Sequence, residues 1–243
     1  MKKHALLLLV LLALWVSIQP VQAQSSTPVL LGVKGGLNLG NASLSLPQDF
    51  PTDYSKSNRS GILAGGFAEF GIAEGLFITG EVLYAQMGVE VSAPILVTTP
   101  FSPDPVSGTV NVKEKADYIH VPISLKYKFP IPESIVRPYI FVGPSISFNV
   151  SSKTLQEYSG QVVQYLPLLG IPTSTEEDTK DSTKSVDVAG HLGAGVEFEV
   201  SSNVLLFVDG RYSMSFTNAS KVTDVGFKAR NIMITGGIGF RLP

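Results

Sequence analysis

From Ala116 to Val150 the chain runs ADYIHVPISLKYKFPIPESIVRPYIFVGPSISFNV, and the alternation in this stretch restricts the fold more than any other feature. Ile119, Val121, Ile123, Leu125, Tyr127 and Phe129 alternate with Tyr118, His120, Pro122, Ser124, Lys126 and Lys128. A period of two puts one set on each face of a strand. After a short Pro-containing turn the pattern returns, with Ile140, Val142, Ile146 and Phe148 against Arg137, Tyr139, Ser145, Ser147 and Asn149. Strands of soluble domains run to about five or six residues, whereas a tilted strand needs about 9 to 11 to cross a bilayer. The two arms therefore predict a β-hairpin of membrane-spanning length.

The other way across a membrane, a helix, is confined to the start of the chain. Residues 1–23 open on Lys2-Lys3, continue through an apolar run from Ala5 to Val16 and end on Val21-Gln22-Ala23. That is the layout of a secretory signal peptide cleaved before Gln24, which leaves 24–243 as one barrel domain. The run falls short of the ~18 apolar residues of a helix that stays in the membrane. Without it the net charge falls from −2 to −4, because two lysines leave with the leader. An acidic chain has no basic footprint for nucleic acid. With no Cys, disulfides, thiolate metal sites and a Cys nucleophile are excluded. An exported chain of this kind enters a membrane only as a closed barrel, which satisfies every backbone polar group without water.

Eight strands follow in order. They are Val29 to Leu39, Gly61 to Ile72, Leu76 to Val91, the two arms of the hairpin, Val186 to Val200, Val204 to Thr217 and Lys228 to Leu242. Connections after the second, fourth and sixth are short. Those after the odd strands are long, and residues 41–60, 92–115 and 151–185 are expected to be outer loops. An even strand number with short periplasmic turns and long outer loops is the plan of an outer-membrane barrel. The expected fold is all-β, an eight-stranded antiparallel up-and-down transmembrane barrel. With both termini periplasmic, Phe70, Tyr127, Phe129, Phe198 and Phe240 fall at inner strand ends on the lipid face, and Tyr84, Phe148, Tyr212 and Phe216 at outer ends. Two aromatic girdles result, as interfacial anchoring requires.

The segments LGVKGGLNL, EVLYAQMG, YIHVPISLKYKF, RPYIFVGP, VAGHLGAGVEFEV, FVDGRYS and GGIGFRL together resemble the PorT-like outer-membrane β-barrel family, often labelled porin family, of Bacteroidetes-type bacteria. The resemblance covers nearly all the strands and none of the loops. It implies the same fold and links to secretion or surface assembly, but no single activity. It also implies the barrel-assembly machinery as a partner in biogenesis, although here Phe240, the expected terminal aromatic, is followed by Arg241-Leu242-Pro243.

The second face of the strands gathers Lys34, Glu69, Glu81, Lys126, Lys128, Arg137, Glu197, Glu199, Asp209, Arg211 and Arg241. Lys34, Glu81 and Asp209 fall at similar heights, with Arg211 one step further out, and are expected to form one layer. Phe67, Phe77, Phe141 and Phe207 point inward below them. Eight strands leave a lumen just wide enough for side chains to fill, so a plugged, ion-paired interior is expected. His120 and His191 are expected to be satisfied polar residues, since no third ligand stands at metal-binding spacing. No catalytic, cofactor or metal site is assigned.

Function is thereby expected in the outer loops, as a non-enzymatic envelope or secretion-associated barrel whose partners are outer-membrane lipids and envelope proteins. Three alternatives stand beside it. One is a narrow porin-like channel, and another a soluble lipocalin-like barrel. The third is a lipid-modifying enzyme using a Ser and a His such as Ser124 and His120.

Overall fold

The structure, a computed structural model, describes residues 29–45, 54–218 and 226–242. The expected signal peptide lies outside them, as do residues 46–53 and 219–225 of two expected loops. Nine strands are present among the described residues: β1 (Val29–Ser45), β2 (Ser55–Ala73), β3 (Leu76–Val97), β4 (Val106–Lys128), β5 (Val136–Gly160), β6 (Ser174–Asp178), β7 (Val186–Ser201), β8 (Val204–Ser215) and β9 (Gly226–Arg241). Eight of them close a ring. Each pairs antiparallel with the next, β5 with β7, and β9 returns to β1 from Leu30↔Arg241 to Ser45↔Gly226. β6 lies outside the ring and pairs only with the far end of β5, from Lys153↔Asp178 to Glu157↔Ser174. Closure removes every sheet edge within the membrane.

The turns explain which end is which. β2 and β3 are joined through Glu74-Gly75, where Gly75 has φ 70°, a left-handed conformation that glycine adopts without strain. A Cβ at Gly75 would also stand 2.9 Å from the Lys128 carbonyl oxygen. β4 and β5 are joined through 129–135, tied by Phe129 N–H to the Pro138 oxygen at 2.9 Å, and β7 and β8 through Ser202-Asn203.

Inside and outside follow the alternation. Val33, Val82, Ile123, Val142, Leu192, Val208 and Ile234 are exposed, while Lys34, Glu81, Ser124, Phe141, His191, Asp209 and Thr235 are buried. All nine aromatics of the two expected girdles face outward. Apolar side chains outside and ions inside are the reverse of a soluble barrel, and no helix among the described residues is long and apolar enough to cross a membrane.

All three expected outer loops contain strand: 41–45 and 55–60 in the first, 92–97 and 106–115 in the second, and 151–160 and 174–178 in the third. β3 and β4 stay paired as far as Val97↔Val106, and β4 and β5 as far as Gly108↔Gly160, so most of 92–115 and the start of 151–185 continue the sheet beyond the outer girdle. The physical reason is backbone satisfaction: three consecutive strands can pair with one another whatever solvent surrounds them. The alternation is hidden by a β-bulge. Tyr118 pairs with Asn149 but Asp117 with Ser151, which leaves Val150 as an extra residue and reverses the parity of β5 above it. The projection has a dry core of its own, with Val106, Val162 and Leu166 buried against Ile95, Val97, Tyr158, Val163 and Tyr165. Residues 161–164 and 166–169 form 3-10 turns that lay this apolar segment across the strand ends.

Candidate functional site

The interior charges separate into three levels. At the periplasmic mouth Glu199 binds Arg137 at 2.5 Å and Arg241 at 3.0 Å, half in solvent. Above it Lys128 bridges Glu69 at 2.5 Å and Glu197 at 2.7 Å, Lys126 adds a 2.6 Å contact to Glu69, and Thr79 donates to Glu69 at 3.2 Å. The third level is the most enclosed. There Lys34 lies 3.1 Å from Asp209 and 3.5 Å from Glu81, and Arg211 lies 2.6 Å from Glu81. Tyr139 (3.2 Å) and Thr235 (2.5 Å) donate to the two oxygens of Asp209. All four ions are at most 6% exposed, so each has replaced hydration with partners. Without them a buried charge costs several kcal/mol.

Every interior ion expected from the sequence thus has a place in one of these levels. Tyr139, Thr79 and Thr235 belong to them too; each stands at an inward position of the alternation but is uncharged, so charge alone did not single it out. Of the four phenylalanines, Phe67 packs edge-on against Phe207 at 5.3 Å, and Lys128 lies over Phe77 at 4.4 Å. Phe141 differs from the expectation: it lies beside the central ions, not below them, with the Arg211 guanidinium 5.0 Å from its ring centre and His191 6.2 Å away.

The histidines pair with serines on other strands. His120 Nδ1 meets Ser147 Oγ at 2.8 Å, and His191 Nε2 meets Ser124 Oγ at 2.8 Å. Ser124 and His120, which share β4, are therefore not each other's partners. The Ser124–His191 pair is buried in the interior, away from the lipid face. Among the described residues no three His, Cys, Asp or Glu side chains cluster so as to hold a metal ion. The remaining wall of the lumen divides by polarity. Leu63, Leu83, Ala85 and Met233 form an apolar cluster with Met87 on β2, β3 and β9, and Ser124, Ser145, Ser147, His120 and His191 occupy β4, β5 and β7. On the polar side His120 Nε2, His191 Nδ1 and Ser145 Oγ have no hydrogen-bond partner among the described residues, nor do Glu81 Oε2 and Arg211 Nη1.

The lumen is pinched further out. Asn38 on β1 donates to the Gln86 oxygen on β3 at 2.7 Å, across the line of β2. A Cβ on Gly40 would stand 2.6 Å from the Gly88 oxygen, so the two main chains touch. β2 yields here, its register with β3 breaking between Asn58 and Leu63.

A closed antiparallel ring with a lipid-facing exterior and a charged, ion-paired interior defines a transmembrane β-barrel protein. The family model for the outer membrane protein beta-barrel domain matches residues 22–221. The chain belongs to that family and is a protein of the bacterial outer membrane. Similar solved structures include OprG from Pseudomonas aeruginosa (11% identity, 91% of this chain and 99% of that one, TM-score 0.45). Others are neisserial surface protein A (16%, 89% and 98%, 0.43) and Escherichia coli outer membrane protein W (11%, 90% and 100%, 0.39). A search of curated protein sequences found no match.

Proposed function

We propose that this barrel is a non-enzymatic envelope scaffold of the PorT-like kind, which presents its outer projection to a protein partner and conducts no solute. The observation that carries the reading is the contrast between a lumen crossed by ion pairs and a built projection. The lumen is crossed by three levels of ion pairs and shut on the β1–β3 side by touching main chains. The projection has a core of its own and exposes Leu96, Phe101, Leu168 and Ile171 at its tip. From Tyr158 to Thr175 the sequence carries no charge, which is unusual for a segment standing in water and common at protein contacts.

A narrow channel is the second reading. It is favoured by the unpartnered polar atoms along the β4, β5 and β7 wall, which are of the kind that line a hydrated path. Planar-bilayer recording of the purified protein separates the two. A silent bilayer is expected; stable single-channel conductance that survives deletion of residues 98–105 and 161–173 would replace the scaffold reading by the channel.

A further inference from the structure

A long groove of about 810 Å³ crosses the lipid face between β4 and β9. Strand register shows its course. One row of outward residues, paired strand to strand, passes from Leu76 through Tyr127, Ile140 and Ala194 to Gly210. The row beside it passes from Leu125 through Val142, Leu192 and Tyr212 to Ile232, and both rows line the groove. Neighbouring strands lie about 4.8 Å apart, so the four steps from β4 to β9 make about 20 Å. Barrel strands are tilted, and rows that run across them therefore climb through the membrane. Leu76 opens β3 and Tyr127 is next to last in β4, both at periplasmic turns, whereas Gly210 and Tyr212 lie past the middle of β8. The groove thus starts at the inner girdle and rises toward Tyr212 of the outer one.

The floor is lowest where Ala194 pairs with Gly210, and Ile140, Val142 and Leu192 stand exposed beside it. Arg211 is the one charged lining residue, and its guanidinium is turned to Glu81 in the lumen. Between the two tyrosines, then, the groove presents only hydrocarbon. Gly210 has no reason within the protein to be glycine. Its φ is not positive, and a Cβ there would meet nothing within 4 Å, whereas one on nearby Gly193 would stand 2.3 Å from the Phe141 ring. Glycine inside a strand weakens it and often marks a place where a ligand approaches closely. The space over Gly210 is kept for something outside the chain.

We propose that the groove is a binding site for one acyl chain of a phospholipid of the periplasmic leaflet, held longer than the lipids around the rest of the barrel. Leaving bulk lipid brings no hydrophobic gain, so a bound chain is distinguished by its van der Waals contacts. Against the convex wall a chain touches protein on one side; in the groove it touches the floor and both rows. The end that reaches water is the lower one, at Leu76 and Tyr127, which puts the ester end of the chain at the periplasmic interface. At the upper end the lipid face continues outward through Met214 and Phe216, both exposed. A second copy of the chain is the competing occupant. An isologous contact sets a surface against itself, and this groove laid on its own copy would leave the space over Gly210 unfilled. The site is independent of what the outer projection does.

The test weighs the full-length barrel, extracted from outer membranes in mild detergent, by native mass spectrometry. The unsubstituted protein should carry one phospholipid. Gly210→Leu puts a side chain into open space, so it should fold as the parent does, checked by electrophoresis of heated and unheated samples, and lose the lipid. Gly80→Leu is the control, because a Cβ on Gly80 also meets nothing within 4 Å but Gly80 does not line the groove; it should keep the lipid. A second readout needs no lipid to survive extraction. In phospholipid vesicles, a chain-spin-labelled phospholipid should show a motionally restricted component with the parent and Gly80→Leu that is absent with Gly210→Leu. Lipid A in place of phospholipid, or a dimer that Gly210→Leu dissolves, would overturn the assignment. So would a restricted component of equal size in the parent and Gly210→Leu.

Discussion

Strand β4 changes character halfway along its length. Between Lys128 and Tyr118 its inward side chains are ions, serine, proline, histidine and tyrosine, and its outward ones Tyr127, Leu125, Ile123, Val121 and Ile119. Between Lys115 and Val106 the two faces exchange roles. Glu114, Val112, Val110 and Val106 continue the inward row, and Lys115, Lys113, Asn111 and Thr109 the outward one. On that outward face Lys113 joins Glu157 at 2.7 Å and Ser92 donates to Asn111 at 2.7 Å. The backbone and its pairing continue across the change; only the surroundings outside the sheet differ, lipid below and water above. The face turned away from those surroundings must match itself, and it does so by ion pairing in the belt and by apolar packing in the projection.

The contrast is most easily broken in the belt. Replacing Glu81 by Ala leaves Lys34 and Arg211 facing each other with Asp209 as their remaining anion, and should destabilise the barrel by about 3–5 kcal/mol. Unfolding in detergent measures this, with Glu177→Ala as the unaffected control; equal tolerance of both would show that the central level holds nothing together. A second substitution sharpens the comparison on the outer surface. Val208→Arg, at mid-height on the lipid face, should cost about 2–4 kcal/mol, whereas Leu96→Arg on the projection should leave the unfolding midpoint in lipid vesicles unchanged. The smallest expected effect is that of Lys113→Ala. An exposed ion pair contributes little, so its midpoint should stay within error of the parent's in both low and high salt.

The belt was legible in the sequence because lipid demands strict alternation: each of Ile123, Leu125 and Val142 had to face out and each of Lys126, Lys128 and Glu197 in. Partners were less legible than faces. Lys34 on β1 reaches Asp209 on β8, and Ser124 reaches His191 and not His120, because contacts across the lumen depend on how the ring curves and not on spacing along one strand. The projection reads as loop in the sequence for two physical reasons. Its Pro, Thr and Ser content carries turn signals, and the bulge at Val150 shifts the period of β5 by one residue, so that Ser152, Thr154, Gln156 and Tyr158 face the side that Tyr139, Phe141, Ser145 and Ser147 face below. Thr and Val also favour strands, and once β3 and β5 flank β4 that preference prevails.

The contact between Gly40 and Gly88 has a consequence for how openness in this barrel would arise. Where Gly40 meets Gly88 the contact is main chain against main chain, beside the Asn38 side chain that bonds the Gln86 oxygen, and neither glycine has a side chain that could rotate aside. Its state is therefore set by a volume that is missing, and one added methyl group at Gly40 has nowhere to go except between the two strands. Such a barrel has no hinge to tune by degrees; its tightness at this point is a property of composition, fixed when the chain is synthesised.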